Sequence, residues 1–293
     1  MNRNEYLKAD KTLLLLVPAI LFMLLIFVYP FVYGFLLSFN ILSYNPNMPK
    51  GGILENYKRF FSEPRLFNTV FTTLRLSLPI TIVNVGISLP IAFALRKKSK
   101  YQRLVTTVLV IPISLGAVLL AEGMLTYFGP KGWFIQALSA IGIQNLPKLT
   151  HNPTGVIISL VISGFPFVFL LILSYITGID PALPRAAATL GASPLQQFRW
   201  VYLPLLTPGI AMAFCLAFVQ AFSVYPSAQM LGNPAGSTRV ITIAAYEEAF
   251  EYYRYSMGSA IAIIMGAVQL VVVSIVLGLR RLFYRGPASG GKG

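Results

Sequence analysis

Six long apolar stretches dominate this chain: Leu13–Phe39, Leu76–Leu95, Leu104–Phe128, Thr154–Gly178, Leu205–Leu231 and Met257–Leu279. An α-helix needs about 20 apolar residues to cross the hydrocarbon core of a bilayer, where lipid offers the backbone no other hydrogen-bonding partner. Every stretch reaches that length, so the sequence predicts an all-α integral membrane protein with six transmembrane helices. Only 11% of the 293 residues are charged, less than half the share of about 25% in an ordinary soluble domain. Six spans and their connections leave no room for a sizeable soluble domain. The first stretch is too long for a cleaved signal peptide and is expected to remain as a membrane helix. Prolines at 18, 30, 79, 90, 112, 166 and 226 fall inside the stretches and are expected to kink the helices rather than end them.

Orientation follows from the basic residues, which are retained on the cytoplasmic side of a membrane. With both termini inside, that side receives 14 Lys and Arg, including the block Arg96, Lys97, Lys98, Lys100 and Arg103, and the outer side receives 8. Arg75, at the mouth of the second stretch, completes the set; it either snorkels to the headgroups or attracts an anion. The chain then divides into a cytoplasmic N-terminus (1–12), a six-helix transmembrane domain (13–279) and a cytoplasmic tail (280–293). The net charge of +14 is a topology signal, and no nucleic acid is expected as a partner. One cysteine, Cys215, and one histidine, His151, exclude an internal disulfide and any zinc site built from several Cys or His.

The connection between the fourth and fifth stretches is patterned unlike the others. It reads DPALPRAAATLGASPLQQFRWVYLPLLTP from Asp180 to Pro208. Asp180 is a good N-cap with Pro181 at the first helical position, and Ala182–Leu190 is rich in strong helix formers. Gly191 suits a left-handed stop, and Ser193 caps a second helix opened by Pro194. The expected product is a short rigid helix, a glycine turn and a second helix along the membrane surface. The plain alternative is an interfacial anchor.

This loop resembles the cytoplasmic coupling motif of permease subunits of binding-protein-dependent ABC importers: EAA, three residues, Gly, nine residues, then I-x-L-P. Arg185-Ala186-Ala187, then Gly191 preceded by Leu190, then Val201-Tyr202-Leu203-Pro204 fall on that spacing. The six-span layout and the stretch FGPKGWFIQALSAIGI (Phe128–Ile143) are similar to the branch that contains spermidine/putrescine permeases. The resemblance implies the type I importer permease fold, with a cytoplasmic coupling helix between helices 4 and 5 (loop 178–204), in a bacterial inner membrane. It also implies two cytoplasmic ATPase subunits carrying ATP and Mg, a second and related permease, and an external solute-binding protein. One departure is that Arg185 stands where the family has Glu, so a contact made by that glutamate is lost. The chain has no P-loop of its own, since Gly291-Lys292 is followed only by Gly293 and preceded by no strand.

Solute-contacting groups are sparse. Glu122 is the one acidic residue within a predicted span and either contacts a cationic solute or pairs with another helix. Tyr225 and Phe222, with Phe165, Phe167 and Trp133, either line a pathway or serve as packing and belt aromatics. Glu247, Glu248 and Glu251 either gather cations at the outer mouth or contact a solute-binding protein, or else form a solvated face with Arg254 pairing locally with Glu251 or Glu247. The branch resemblance implies a small charged organic solute, polyamine-like, moved by alternating access. A sugar is the alternative, and an ion-driven secondary transporter is the alternative class. An intramembrane enzyme would need convergent polar groups that the spans do not supply.

Overall fold

The computed structural model describes residues 15–40, 52–142 and 149–283. The expected cytoplasmic N-terminus over 1–12 and residues 284–293 of the expected tail lie outside the described residues. The helices run α1 (Leu15–Ser38), α2 (Glu55–Ser62), α3 (Pro64–Ala94), α4 (Lys100–Leu115), α5 (Ala117–Phe128), α6 (Trp133–Ala140), α7 (Pro153–Thr177), α8 (Ala182–Thr189), α9 (Pro194–Phe222), α10 (Pro226–Met230), α11 (Ile241–Tyr246) and α12 (Tyr255–Phe283). No strand occurs among the described residues. Among the described residues, helices α1, α3, α7, α9 and α12 are each long and apolar enough to cross a membrane, and α4 with α5–α6 is long and apolar enough only as a bent pair, a sixth crossing where the two count as one span.

Three boundaries differ from the sequence reading, each for a physical reason. The third stretch, expected to be continuous, is bent by 99° at Gly116. Pro112 withholds one backbone donor within α4, and Gly116 takes φ 76°, ψ 160°, a region essentially closed to residues with a side chain. The fifth stretch ends as a helix at Phe222, because Pro226 opens the separate short helix α10 instead of kinking a continuous one. Helix α3 starts at Pro64, well before Leu76. Its extra turns carry the buried Thr69 and Thr73, and Thr73 Oγ1 donates to the Thr69 carbonyl at 2.6 Å. A hydropathy count misses such turns because the hydroxyl is satisfied by its own backbone.

The chain forms two compact units, one of residues up to Phe67 with Ala244–Ile264, the other of Asn68–Ile243 with the residues from Met265 on. In the second unit, one apolar cluster joins Leu76 and Ile80 of α3 to Met124 of α5, Leu160 of α7 and Ala221 of α9. Another joins Val85 and Ala92 of α3 to Phe169 and Ile172 of α7 and Tyr202 and Leu206 of α9. Gly209 lets α9 lie against the Tyr175 ring, since a Cβ there would stand 2.4 Å from Tyr175 Cγ. Small residues at such crossings allow membrane helices to pack by contact where no hydrophobic drive exists between them.

In the first unit, the Asn56 side chain on α2 donates to the Ser38 carbonyl at the end of α1 at 2.9 Å. The acidic segment after α11 folds into a π-helical turn, Glu247–Glu251. Glu248 is buried there, 3.3 Å from Arg254 and 3.9 Å from Arg59. Arg254 therefore satisfies Glu248, where the sequence reading paired it with Glu247 or Glu251.

Candidate functional site

Two places concentrate polar and exposed groups: the loop between α7 and α9, and a cavity beside the broken span. The loop folds as its residue types dictate. Asp180 Oδ1 accepts from the Ala182 N–H at 2.8 Å and caps α8. At the far end Gly191 takes φ 84°. Its N–H reaches the Ala188 carbonyl and that of Ala192 the Ala187 carbonyl, both at 3.0 Å, a Schellman closure that satisfies the last turn. Ser193 and Gln196 then form a reciprocal capping box, with Ser193 N–H donating to Gln196 Oε1 at 2.7 Å. From Pro194 the chain runs without a break through a π-helical turn, Phe198–Tyr202, into α9.

Arg185 and Ala186 are exposed on α8 and Ala187 is half-buried. Leu190 is 89% exposed, and Leu195 and Trp200 are also bare. Leu203 is half-buried and Pro204 exposed at the entry to the membrane helix. The tip of this rigid helical hairpin is a leucine that packs against little among the described residues, an exposed apolar point on an otherwise capped loop.

The cavity, of about 350 Å3, lies where α4 breaks from α5, bounded by α7 and by the junction of α9 with α10. Gly116 forms the corner, Phe167 supplies an aromatic face, and Ser163, Gln220, Ser223 and Ser227 supply the hydrogen-bonding groups. Ser163 and Phe167 flank the centre of α7, a helix of 25 residues, so the cavity is about halfway along a membrane-crossing helix. Ser227 Oγ and Ser159 Oγ share a hydrogen bond at 2.8 Å, and Gln269 Nε2 donates to Ser223 Oγ at 2.8 Å. The cavity lining contains no Asp, Glu, Lys or Arg. The rest of the lining is apolar, from Pro112, Ile113, Ala117, Leu120, Leu160, Val224 and Pro226, so the cavity is a mainly apolar recess with four neutral polar residues and one ring.

Glu122, Phe222 and Tyr225 do not line this cavity. Glu122 is on an exposed face of α5. Phe222 is fully buried against Phe218, with centroids 5.4 Å apart, and Tyr225 is half-buried against an apolar cluster. Of the other aromatics, Phe167 reaches the cavity, Phe165 stacks toward Phe169 at 5.9 Å, and Trp133 lies beside Tyr127 at 5.7 Å. Gln220 and the three cavity serines are not singled out by the sequence, because single neutral polar residues scarcely lower the hydropathy of a span. The legible signal was Pro112 followed by Gly116 in one stretch and Pro226 just after Gln220 and Ser223 in another.

The family model described as "Binding-protein-dependent transport system inner membrane component" matches residues 84–287. The chain belongs to that family. This permease is 29% identical over 235 residues to the spermidine/putrescine transport system permease protein PotB of Haemophilus influenzae, spanning 79% of this chain and 81% of that one. It is 27% identical over 274 residues to the trehalose/maltose transport system permease protein MalF of Thermococcus litoralis, spanning 90% and 91% of the two chains. Among solved structures, it aligns with a chain of a bacterial alginate ABC transporter in complex with an alginate pentasaccharide-bound periplasmic protein. The TM-score is 0.79, covering 96% of this chain and 98% of the other, at 21% identity. At that identity the likeness concerns the fold. The permease is thus a multi-span component of a binding-protein-dependent ABC importer, and in this family ATP is hydrolysed by a separate subunit.

Proposed function

We propose that the permease supplies one half of the pathway of an ATP-driven importer in a bacterial inner membrane, and that it takes a neutral, hydroxyl-rich solute of the sugar type. The cavity beside Gly116 carries this reading. Its serine hydroxyls, the Gln220 amide and the Phe167 face offer hydrogen bonds and stacking but no charge. A polycation would leave its ammonium groups uncompensated there, a costly arrangement in a low-dielectric site. The trehalose/maltose relative supports the same reading.

A polyamine-like solute is the second reading, favoured by the spermidine/putrescine relative. In that case Glu122, on its exposed face, meets the solute together with groups from the second permease. Both readings share the rest of the machine. Both termini are cytoplasmic. The hairpin Arg185, Ala186, Ala187, Leu190, Gly191 docks on one of two ATPase subunits holding ATP and Mg, and Leu203-Pro204 passes the motion into α9. A second, related permease completes the pathway, and an external binding protein delivers the solute.

The deciding experiment is ATP-dependent uptake of labelled disaccharides and polyamines by vesicles containing the whole complex. Gln220→Leu is expected to lower disaccharide uptake about tenfold, the scale of one hydrogen bond to the solute, with Glu122→Gln near wild type. Polyamine uptake abolished by Glu122→Gln and indifferent to Gln220→Leu would reverse the assignment. Uptake that survives ATP depletion with the ion gradient intact would support an ion-driven carrier instead.

A further inference from the structure

Helix α3 ends beside the point where the loop enters α9, and the contact there is made by one arginine and three rings. The Arg96 guanidinium stands 3.9 Å from the Phe93 ring centroid and 5.5 Å from that of Tyr202. Arg96 Nη1 also donates to the Phe93 carbonyl at 2.7 Å, and the same carbonyl accepts the Arg96 backbone N–H at 3.4 Å, so side chain and backbone together close the last turn of α3. Phe93 meets Phe198 edge-on at 4.7 Å and Tyr202 edge-on at 5.1 Å. Tyr202 is buried within the cluster that holds Ile172, Ile176 and Leu206. Phe198 and Tyr202 are the first and last residues of the π-helical turn.

The basic block Arg96–Arg103 accounts for membrane orientation but does not explain this geometry. Lys97 and Lys98 serve the charge count equally well and are exposed, whereas Arg96 is half-buried and turned back over the rings. The guanidinium is anchored at the end of α3 by the Phe93 ring and carbonyl and reaches across to the Tyr202 ring, while Phe93 itself meets Phe198 and Tyr202, so cation and rings together join the two helices.

We infer that Arg96 is a positioning residue that clamps α3 to the π-helical turn in the first part of α9, so that a displacement of the 178–204 loop moves α3 together with the rest of α9. The loop is already continuous with α9 through Pro194–Phe222 and follows α7 directly. Only α3 depends on side chains for its link. Helix α3 carries Val85 and Ala92 into the same apolar cluster as α7 and α9, so the clamp turns three helices into one lever. The consequence for transport rests on the importer reading; the mechanical clamp does not.

The test uses the complete complex in lipid vesicles with two readouts. Spin labels at Lys97→Cys and Leu195→Cys, in a Cys215→Ala background, report the distance between the end of α3 and the loop. Uptake and ATP hydrolysis, measured together, give ATP consumed per solute moved. Arg96→Gln is expected to broaden the label distance and to raise ATP consumed per solute about tenfold, the size of a common coupling term between sites. Tyr202→Leu is expected to match it, Tyr202→Phe to behave as wild type because the ring remains, and Arg96→Gln with Tyr202→Leu to be no worse than either alone. If Arg96→Gln fails to accumulate in membranes, Phe93→Leu and Tyr202→Leu carry the test, since both leave the charge block intact. An unchanged distance with an unchanged ratio overturns the clamp, as do uptake and hydrolysis falling in proportion. A wild-type complex with no ATP-driven uptake overturns the importer reading, while the label distance still decides the clamp.

Discussion

The glycine turn at Gly191 and the glycine corner at Gly116 use the same backbone device in opposite settings. Both take a positive φ, 84° and 76°, and both end one helix and begin another. At Gly191 the device is announced by polar partners on either side, Asp180 before α8 and the Ser193–Gln196 capping box after the turn. At Gly116 no side chain caps the following helix, and the corner is set in an apolar run. The difference shows that polar caps mark a helix end only where the polar side chain has water or a neighbour to suit it. Within a span the break is marked by proline and glycine alone and opens a cavity instead of a surface loop.

Substitutions at the two turns sharpen this contrast. The largest effect is expected from Gly116→Ala. A Cβ there meets nothing within 4 Å, so the cost is backbone strain in a glycine-only region, about 2–3 kcal/mol. It should appear as a lower thermal midpoint in detergent and as loss of uptake; a midpoint and an uptake equal to wild type would break the comparison. Gly191→Asp also enters open space but in the left-handed region that Asp tolerates, costing about 1 kcal/mol or less. Its signature is loss of the ATPase from gently purified complexes while the chain still inserts, and full retention of the ATPase would sink the docking role of the hairpin. Ser193→Ala removes an exposed cap and is expected to cost about 0.5 kcal/mol, visible as faster amide exchange in Pro194–Gln197 and little else. Arg185→Glu should change stability least, within about 0.5 kcal/mol for an exposed site. It restores the family's acidic residue, and co-purification of the ATPase should rise or hold; a clear fall would show that the partner groove has adapted to arginine.

Legibility followed the chemistry of each region. The loop was readable to within a residue or so, because Asp180, Pro181, Gly191, Ser193 and Pro194 each prescribe a local backbone state. The fourth and sixth spans were readable because they are apolar throughout. Helix α3 was read short, since Thr73 hides its hydroxyl on the preceding turn and Thr69 is buried beside it. The solute-pathway candidates rest on charge or aromaticity; Phe222 and Tyr225 sit in packing positions and Glu122 on an exposed face. The neutral polar residues that line the cavity, from α7, α9 and α10, carry no such signal in the sequence.

The amino-acid order by itself determined the membrane class, the number of apolar stretches, the helical hairpin and its glycine turn, since these depend on hydropathy and on residues within a few positions of each other. Tertiary structure decided that the third span breaks by 99°, that Ser163, Gln220, Ser223 and Ser227 share one cavity, and that Arg96 lies over Phe93 and Tyr202. Those outcomes depend on which faces of distant helices meet, and the periodicity of a uniformly apolar helix carries almost no record of its facing partner.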